Sequence, residues 1–570
     1  MRQPKFLLVI VAALWTTTGF SASPTGGDGR FNVRSFGATG DGTTLDTLAI
    51  NHAIEAAATA GGRSVVFPAG NYLSFSIHLQ SHVALYLGAG ATIIAAEPPA
   101  DLSTGYDAPE PTPGPPGTDQ FEDFGHSHWH NSLIWGENLE DIGITGPGRI
   151  FGRGLSRGSN RRDLLPEERT LKEAGPGAGP HELTRPDLRL PEAARAAIAA
   201  IKPGPFGYPG RDTLPAGVGN KAIALKNCRK VIFRDFTLYH GGHFAILATA
   251  VDNWTCDNLK IDTNRDGIDF DCCQNVRVAN CTVNSPYDDG ICPKASFGLG
   301  SIRPTENVTI TNCQVSGYDE GTLLDGTRQR LVRHRDGSTG RIKLGTEANG
   351  GFHNITISNC VFEYCRGLAL EEVDGGQLED ITITNLTMRD IHNAPIYIRL
   401  GARRRGPAPV APGSVRRIKI SNVVAHNVSN RQGILLLGLP GNPVEDVTLG
   451  NIFIDFAGGG TAEQAARTVP EDEQGYPEPM NHGITPAWGL FARHVKNLGV
   501  DRVEFRAAQP EQRPAVQLDD VTDADFTAVR LPPATGVPLL RVKNTHALAV
   551  HQSPGLPETD QPGPIAREDL

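Results

Sequence analysis

A chain of 570 residues is too long for one compact core, so it holds either several domains or one elongated repeat structure. With 65 Gly, 42 Pro and 39% hydrophobic residues it is rich in turns yet apolar enough to fold, which excludes a disordered chain and favours a long all-β object. A formal net charge of −10 gives no basic field for nucleic acid, whereas an acidic surface is compatible with a cleft for a neutral sugar.

At the N-terminus, Arg2 and Lys5 precede the apolar run Phe6 to Trp15, and Ser21, Ala22 and Ser23 follow. This pattern predicts a cleavable signal peptide over 1–23 and export to the periplasm or the exterior. The apolar run is shorter than the roughly 20 residues that span a bilayer, so no membrane association is expected after cleavage. Thr47 to Ala60 reads as one amphipathic helix with Ile50, Ala53, Ile54 and Ala57 on a face, ended by Gly61-Gly62 and suited to closing one end of a repeat structure.

Long insertions are expected over about 98–125, where Pro98 to Gly117 is Pro/Gly-rich, over 152–219 with a helix near Pro191 to Ile201, and over 327–341. Coil-like strands fill a single domain over 30–553, and 554–570 reads as a flexible tail.

The repeat itself is a short strand with an asparagine turn. It occurs as Val278-Ala-Asn-Cys-Thr-Val283, Ile310-Thr-Asn-Cys-Gln-Val315, Ile357-Ser-Asn-Cys-Val-Phe362, Ile383-Thr-Asn-Leu-Thr-Met388, Ile420-Ser-Asn-Val-Val-Ala425 and Leu449-Gly-Asn-Ile-Phe-Ile454. The asparagines lie 32, 47, 26, 37 and 29 residues apart, as coils of a solenoid with loops of varying length do. Apolar and β-branched residues point inward on each strand, while Asn tolerates the left-handed turn and stacks on its equivalent one coil away. The fold class predicted is a parallel β-helix with a short capping helix and large inserted loops.

Cys228, Cys281, Cys313 and Cys360 each follow an asparagine, so they read as buried coil residues, and the odd count of nine argues against a disulfide framework. No Cys/His spacing has the form of a zinc site, and no metal or other cofactor is called for. Oligomeric state is not encoded in any pattern found.

A second landmark carries the chemistry. Arg265-Asp266-Gly267-Ile268, Asp288-Asp289-Gly290-Ile291, Asp319-Glu320-Gly321-Thr322 and Cys365-Arg366-Gly367-Leu368 share a Gly before an apolar or β-branched residue. Stacking these four segments gives a column Asp266, Asp289, Glu320, Arg366 at about 4.8 Å per coil, with Asp288 and Asp319 beside it. Stacked carboxylates repel and keep one proton near neutrality, which supplies the acid and the base that glycoside hydrolysis requires. Asp-Gly is also ordinary turn chemistry, but a turn needs one carboxylate, and the doublet Asp288-Asp289 with Asp269 close by exceeds that need. His240, His243, Trp129 and Trp254 read equally as walls of a sugar site or as packing residues.

At these residues the chain resembles glycoside hydrolase family 28, the polygalacturonase and rhamnogalacturonan hydrolase family, across most of its mature length. Phe36-Gly-Ala-Thr-Gly-Asp-Gly42, Phe67-Pro-Ala-Gly-Asn-Tyr72 and Ile144-Thr-Gly-Pro-Gly-Arg-Ile150 look like the entry to pectin-active β-helices. The family's Asn-Thr-Asp-Gly and Asp-Asp motifs are similar to Asn264-Arg265-Asp266-Gly267 and Asp288-Asp289. The resemblance implies a right-handed helix and an inverting hydrolase of pectic polysaccharide or oligosaccharide, with Asp288 as general acid and Asp266 and Asp289 holding water.

The family's Gly-His-Gly is similar to Gly317-Tyr318-Asp319-Glu320-Gly321 with its histidine missing, which makes Tyr318, Asp319 and Glu320 candidate substrate contacts beside Lys294, Arg366, Glu371 and His243. Its carboxylate-binding Arg-Ile-Lys matches Arg341-Ile342-Lys343 literally, but the coil stacking above places that motif at Ala369-Leu370-Glu371, which implies lost cations and a neutral sugar or an unusual pectic linkage at the scissile position. The inserted loops imply exo action. Two other readings remain: a Ca²⁺-dependent β-helix polysaccharide lyase, and a non-catalytic glycan-binding β-helix.

Overall fold

The computed structural model describes residues 29–122, 124–156, 214, 216–330, 337–533 and 535–570. The predicted signal peptide, most of the 152–219 insertion with its helix, and 331–336 lie outside the described residues.

Strand pairing follows from the repeat. Ile357, Ile383, Ile420 and Leu449 are successive register partners in parallel strands and are at most 1% exposed, so each coil adds a buried aliphatic to a continuous column. Such a side chain contributes roughly 1.5–3 kcal/mol on burial. All six repeat asparagines have φ between 52° and 58°, the left-handed turn that Asn tolerates. Their amides form the expected ladder: Asn312 donates to Asn280 at 3.2 Å, Asn385 to Asn359 at 3.0 Å, Asn422 to Asn385 at 3.2 Å and Asn451 to Asn422 at 2.7 Å. The architecture is a parallel β-helix.

The helix Thr47–Thr59 buries Ile50, Ala53, Ile54 and Ala57 against the strands Arg30–Asn32, Ser64–Phe67 and Ile77–His78, covering the first coil as predicted. The other end corrects the expectation of a loose tail. Thr559–Asp569 is a strand, antiparallel to Leu540–His551, and the only antiparallel pairing between named strands among the described residues. An unpaired last coil would expose a row of N–H and C=O groups, and this returning strand satisfies them.

One face of the solenoid runs through Ile77–His78, Ser132–Glu137, Lys221–Lys226, Phe244–Thr249, Asp266–Asp271 and Ile291–Lys294. It continues across the bridge Ile291↔Ile342 into Lys343–Leu344, Leu368–Glu372, Ile396–Leu400 and Ile434–Leu437. On this face Ile268, Ile291, Ile342, Leu368 and Ile396 point into the core, so the residues alternating with them point away from it. Asp269, Lys294, Arg341 and Lys343 lie on that outward row, and Asp266, Asp288 and Asp289 stand where the strands Asp266–Asp271 and Ile291–Lys294 begin.

Candidate active site

The inward column fixes the register, and the register corrects the stacking expected from sequence. Because Ile268, Ile291, Ile342 and Leu368 are successive partners, Gly267 and Gly290 are followed by Arg341 and then Gly367. Gly321 is not in this series. The residues before it, expected to continue the acidic column, are held elsewhere: Glu320 pairs with His240 at 2.5 Å, and Asp262 accepts the N–H groups of Gly321, Leu323 and Leu324. Asp319 donates its N–H to Gln329, and Tyr318 is fixed through its main chain to Asn284 with its ring stacked on Tyr364. Residues 317–330 therefore leave the coil before Lys343–Leu344 resumes this face.

The second correction concerns the cations. Arg341-Ile342-Lys343 occupies the coil after Asp288-Asp289, and Ala369 pairs with Lys343 one coil further on. The literal motif match is the structural one, and Ala369-Leu370-Glu371 replaces nothing. Sequence stacking failed here because it counted every Asp/Glu-Gly as a coil landmark, whereas hydrogen-bond register follows the buried aliphatics.

Asp266, Asp288 and Asp289 do come together. One oxygen of each lies within 4.8 Å of one oxygen of the others, and Asp266, Asp269 and Cys292 form an overlapping group with the same limit. Gly267 permits this closeness, since a Cβ there would lie 2.4 Å from the Gly290 carbonyl oxygen and from Val283. Asp289 is only 1% exposed in its side chain and binds Arg341 Nε at 2.8 Å and Lys343 Nζ at 2.7 Å, whereas Asp288 is 28% exposed and faces Arg265 Nη2 at 2.8 Å.

These environments separate the three acids. Burial alone would raise the Asp289 pKa, but Lys343 and Arg341 overcome it and hold the carboxylate below its usual range. Asp288 is lowered too, burial being outweighed chiefly by Arg265. Asp266 is raised well above the carboxylate range by burial and by the charges of Asp288 and Asp269, so it is the protonated member of the free cluster. Asp269 is raised as well by burial, against Lys294 at 3.7 Å.

Around the acids runs a network of paired charges. Lys294 also binds Glu347 at 3.1 Å. Glu371 accepts from Thr346 at 3.1 Å and lies 3.8 Å from Arg341; burial lifts its pKa to about 7 despite Lys343 and Arg341. His243 is buried and held neutral, its pKa pushed well down by burial and then by Arg265. Of the two aromatic candidates for sugar walls, Trp129 and Trp254 are both 0% exposed and serve packing.

Sequence reasoning missed Glu478. It comes from the loop between the strands Val444–Phe456 and Leu490–Ala507, accepts from Arg341 Nη2 at 2.7 Å, and lies 3.1 Å from Arg366 Nη1. Gly458-Gly459-Gly460 and the prolines at 470, 477 and 479 mark that stretch as a loop, but nothing in it marks where it lands. The carboxylate groups also have the spacing of a cation site, although Arg341, Lys343 and Lys294 already supply positive charge there.

Comparison with known proteins agrees with this architecture. A family model described as rhamnogalacturonase A/epimerase, pectate lyase-like matches residues 30–108, and one described as right handed beta helix region matches 216–329. An exo-poly-alpha-D-galacturonosidase of Dickeya chrysanthemi is 25% identical over 402 residues, 67% of this chain, and the chain spans 59% of that relative's length. A probable polygalacturonase of Vitis vinifera is 24% identical over 472 residues, covering 79% of this chain and 78% of the relative. Among solved structures, a Thermotoga maritima exopolygalacturonase superposes with a TM-score of 0.55 at 17% identity over 84% of this chain and 91% of that one. A Yersinia enterocolitica family 28 exopolygalacturonase gives 0.56 at 19% identity over 93% and 79%. At such identities these structures speak to the fold alone: the chain is a right-handed parallel β-helix.

Proposed function

We propose that this protein is a glycoside hydrolase that cleaves a pectic polysaccharide or oligosaccharide with Asp266, Asp288 and Asp289. The observation that carries the reading is the packing of three carboxyls within 4.8 Å under environments that keep one ionised and one protonated. Curated relatives that are polygalacturonases support the substrate class.

Asp288 is the outermost of the three and the one a glycosidic oxygen can reach, so it delivers the acid proton, which it shares with Asp266 as a coupled pair. With that proton on Asp288, Asp266 is the ionised partner that accepts the proton of the attacking water. Asp289, locked by Arg341 and Lys343, orients the water and stabilises the positive charge of the transition state. The glycosidic C–O bond breaks, the leaving oxygen takes the Asp288 proton, and water adds to the anomeric carbon. Inversion rests on the family resemblance. Retention would instead require one of the three carboxylates to attack the anomeric carbon and form a glycosyl-enzyme that water then opens.

Digestion of a panel of pectic oligosaccharides, with the first-formed product anomer read by NMR, tests both. An α-linked substrate yielding the β product supports inversion, and the α product supports retention. Unsaturated products absorbing in the ultraviolet and dependent on calcium defeat the hydrolase reading in favour of a lyase. Binding without any product defeats it in favour of an adhesin. Export to the periplasm or the exterior and exo action belong to the same proposal, and terminal-residue release from long chains tests the latter.

A further inference from the structure

The loop that carries Glu478, between the strands Val444–Phe456 and Leu490–Ala507, reaches back onto Arg341, and its carboxylate ends between two guanidinium groups. It lies 2.7 Å from Arg341 Nη2, 3.4 Å from Arg341 Nη1 and 3.1 Å from Arg366 Nη1. Tyr476 of the same loop bonds Thr346 at 3.0 Å through its hydroxyl and lies over Lys343 with 5.9 Å from Nζ to the ring centroid. Arg341 is consequently 1% exposed and Glu478 11%.

We propose that Glu478 is a specificity-determining residue, an internal carboxylate that fills the Arg341–Arg366 anion site and so selects a neutral sugar over a uronate at that position of the groove. This rests on the glycoside hydrolase reading above and refines its substrate.

Charge balance supports it. Arg341, Lys343 and Arg366 already face Asp289, Glu371 and Glu478. A uronate brought to this site finds the guanidinium groups of Arg341 and Arg366 already bonded to Glu478 and Lys343 bonded to Asp289, and its carboxylate meets the charges of Glu478 and Asp289 in a site of low effective dielectric. Nearby cations are engaged as well: Arg265 with Asp288, Lys294 with Glu347, Arg403 with Asp374 and Arg405 with Glu347. A sugar whose C5 substituent is uncharged brings no such penalty. The bidentate geometry of Glu478 on Arg341 is also the geometry by which an arginine grips a substrate carboxylate, so the loop supplies from within what an acidic sugar would supply from outside.

The test is calorimetric binding of trigalacturonate and of the matching neutral galactotriose to the full chain, wild type, Glu478→Gln and Glu478→Ala, each in a Asp288→Asn background so that turnover does not consume the ligand. Wild type is expected to prefer the neutral trimer. Both substitutions are expected to improve trigalacturonate affinity about tenfold, or about 1.4 kcal/mol, with galactotriose affinity unchanged. Because Gln keeps the size of Glu, a gain in Ala without a gain in Gln assigns the effect to space and overturns the proposal. So does trigalacturonate binding that is unchanged or weakened in both variants while galactotriose still binds, which leaves the hydrolase reading standing. Absence of binding by either sugar to every variant, with folding verified by circular dichroism, overturns the carbohydrate reading together with this one.

Discussion

Arg265 Nη2 lies 2.8 Å from Asp288 Oδ2, one coil away. The contact joins a permanent cation to the carboxyl proposed to deliver the acid proton, and so sets how firmly the Asp266–Asp288 pair holds it. The Arg265 charge pulls downward on the pKa of both carboxyls, although burial and the neighbouring carboxylates leave Asp266 raised. Removing it raises the proton affinity of the pair. For an acid that must be protonated to act, Arg265→Gln is expected to move the alkaline limb of the kcat/KM profile to higher pH. An alkaline limb that stays in place or moves down would separate Arg265 from the proton inventory.

Asp288→Asn keeps the size of the side chain and removes its ionisable proton. Because the side chain is 28% exposed and Arg265 can still donate to the amide oxygen, the melting temperature should change little. Turnover should fall by about 10²–10⁴, the range for loss of a general acid. Retention of wild-type kcat, measured on the best oligosaccharide substrate, removes the role assigned to Asp288.

Asp289→Asn should behave differently, since it strips the charge partner from Arg341 and Lys343 in a buried site. Breaking a buried ion pair from one side costs about 3–5 kcal/mol, which urea unfolding will read directly. The pH sign follows from the depressed Asp289 pKa: its stabilisation is fully present above the unfolded value of about 3.9 and is lost as pH falls from there toward the lower folded value. The substituted protein should therefore lose less stability between pH 4 and lower pH than the wild type, each protein compared with its own value near neutrality.

The asparagine ladder allows backbone and side-chain effects to be told apart. Asn385 has φ 58° and bonds Asn359 and Asn422. Asn385→Ala loses both bonds and, without the short polar side chain that lets Asn tolerate the left-handed region, bears up to about 1–2 kcal/mol of backbone cost. Asn385→Gly loses the bonds but fits the turn, and equilibrium unfolding should place it between wild type and the alanine variant.

All nine cysteines are free and buried. Native protein should therefore resist thiol-modifying reagents, release nine reactive thiols on denaturation, and melt at a temperature insensitive to reductant. Fewer than nine thiols after denaturation without reductant would reveal a disulfide.

Much of this molecule was legible in one dimension because its fold is a one-dimensional repeat. Each coil contacts mainly its neighbours, so the period of Asn and the alternation of Ile, Val and Leu suffice to predict a parallel β-helix, and local rules suffice for the capping helix Thr47–Thr59. The carboxylates Asp266, Asp288 and Asp289 sit near the coil landmark itself, which is why they were found together. The C-terminal strand Thr559–Asp569 was not, since it folds back antiparallel and carries no repeat signature.

Tertiary structure alone decided the rest. The register that puts Arg341 and Lys343 on Asp289, and withdraws Glu320 to His240, is set by buried aliphatics that an acidic motif does not report. The pairing of Glu478 with Arg341 spans 137 residues and depends on where a loop lands, which no local pattern encodes. Sequence determined the three acids and the frame that stacks them, because both follow the repeat. Which acid keeps its proton, and which cations remain for a substrate, depends on distances between coils and loops, where Coulomb energies are set.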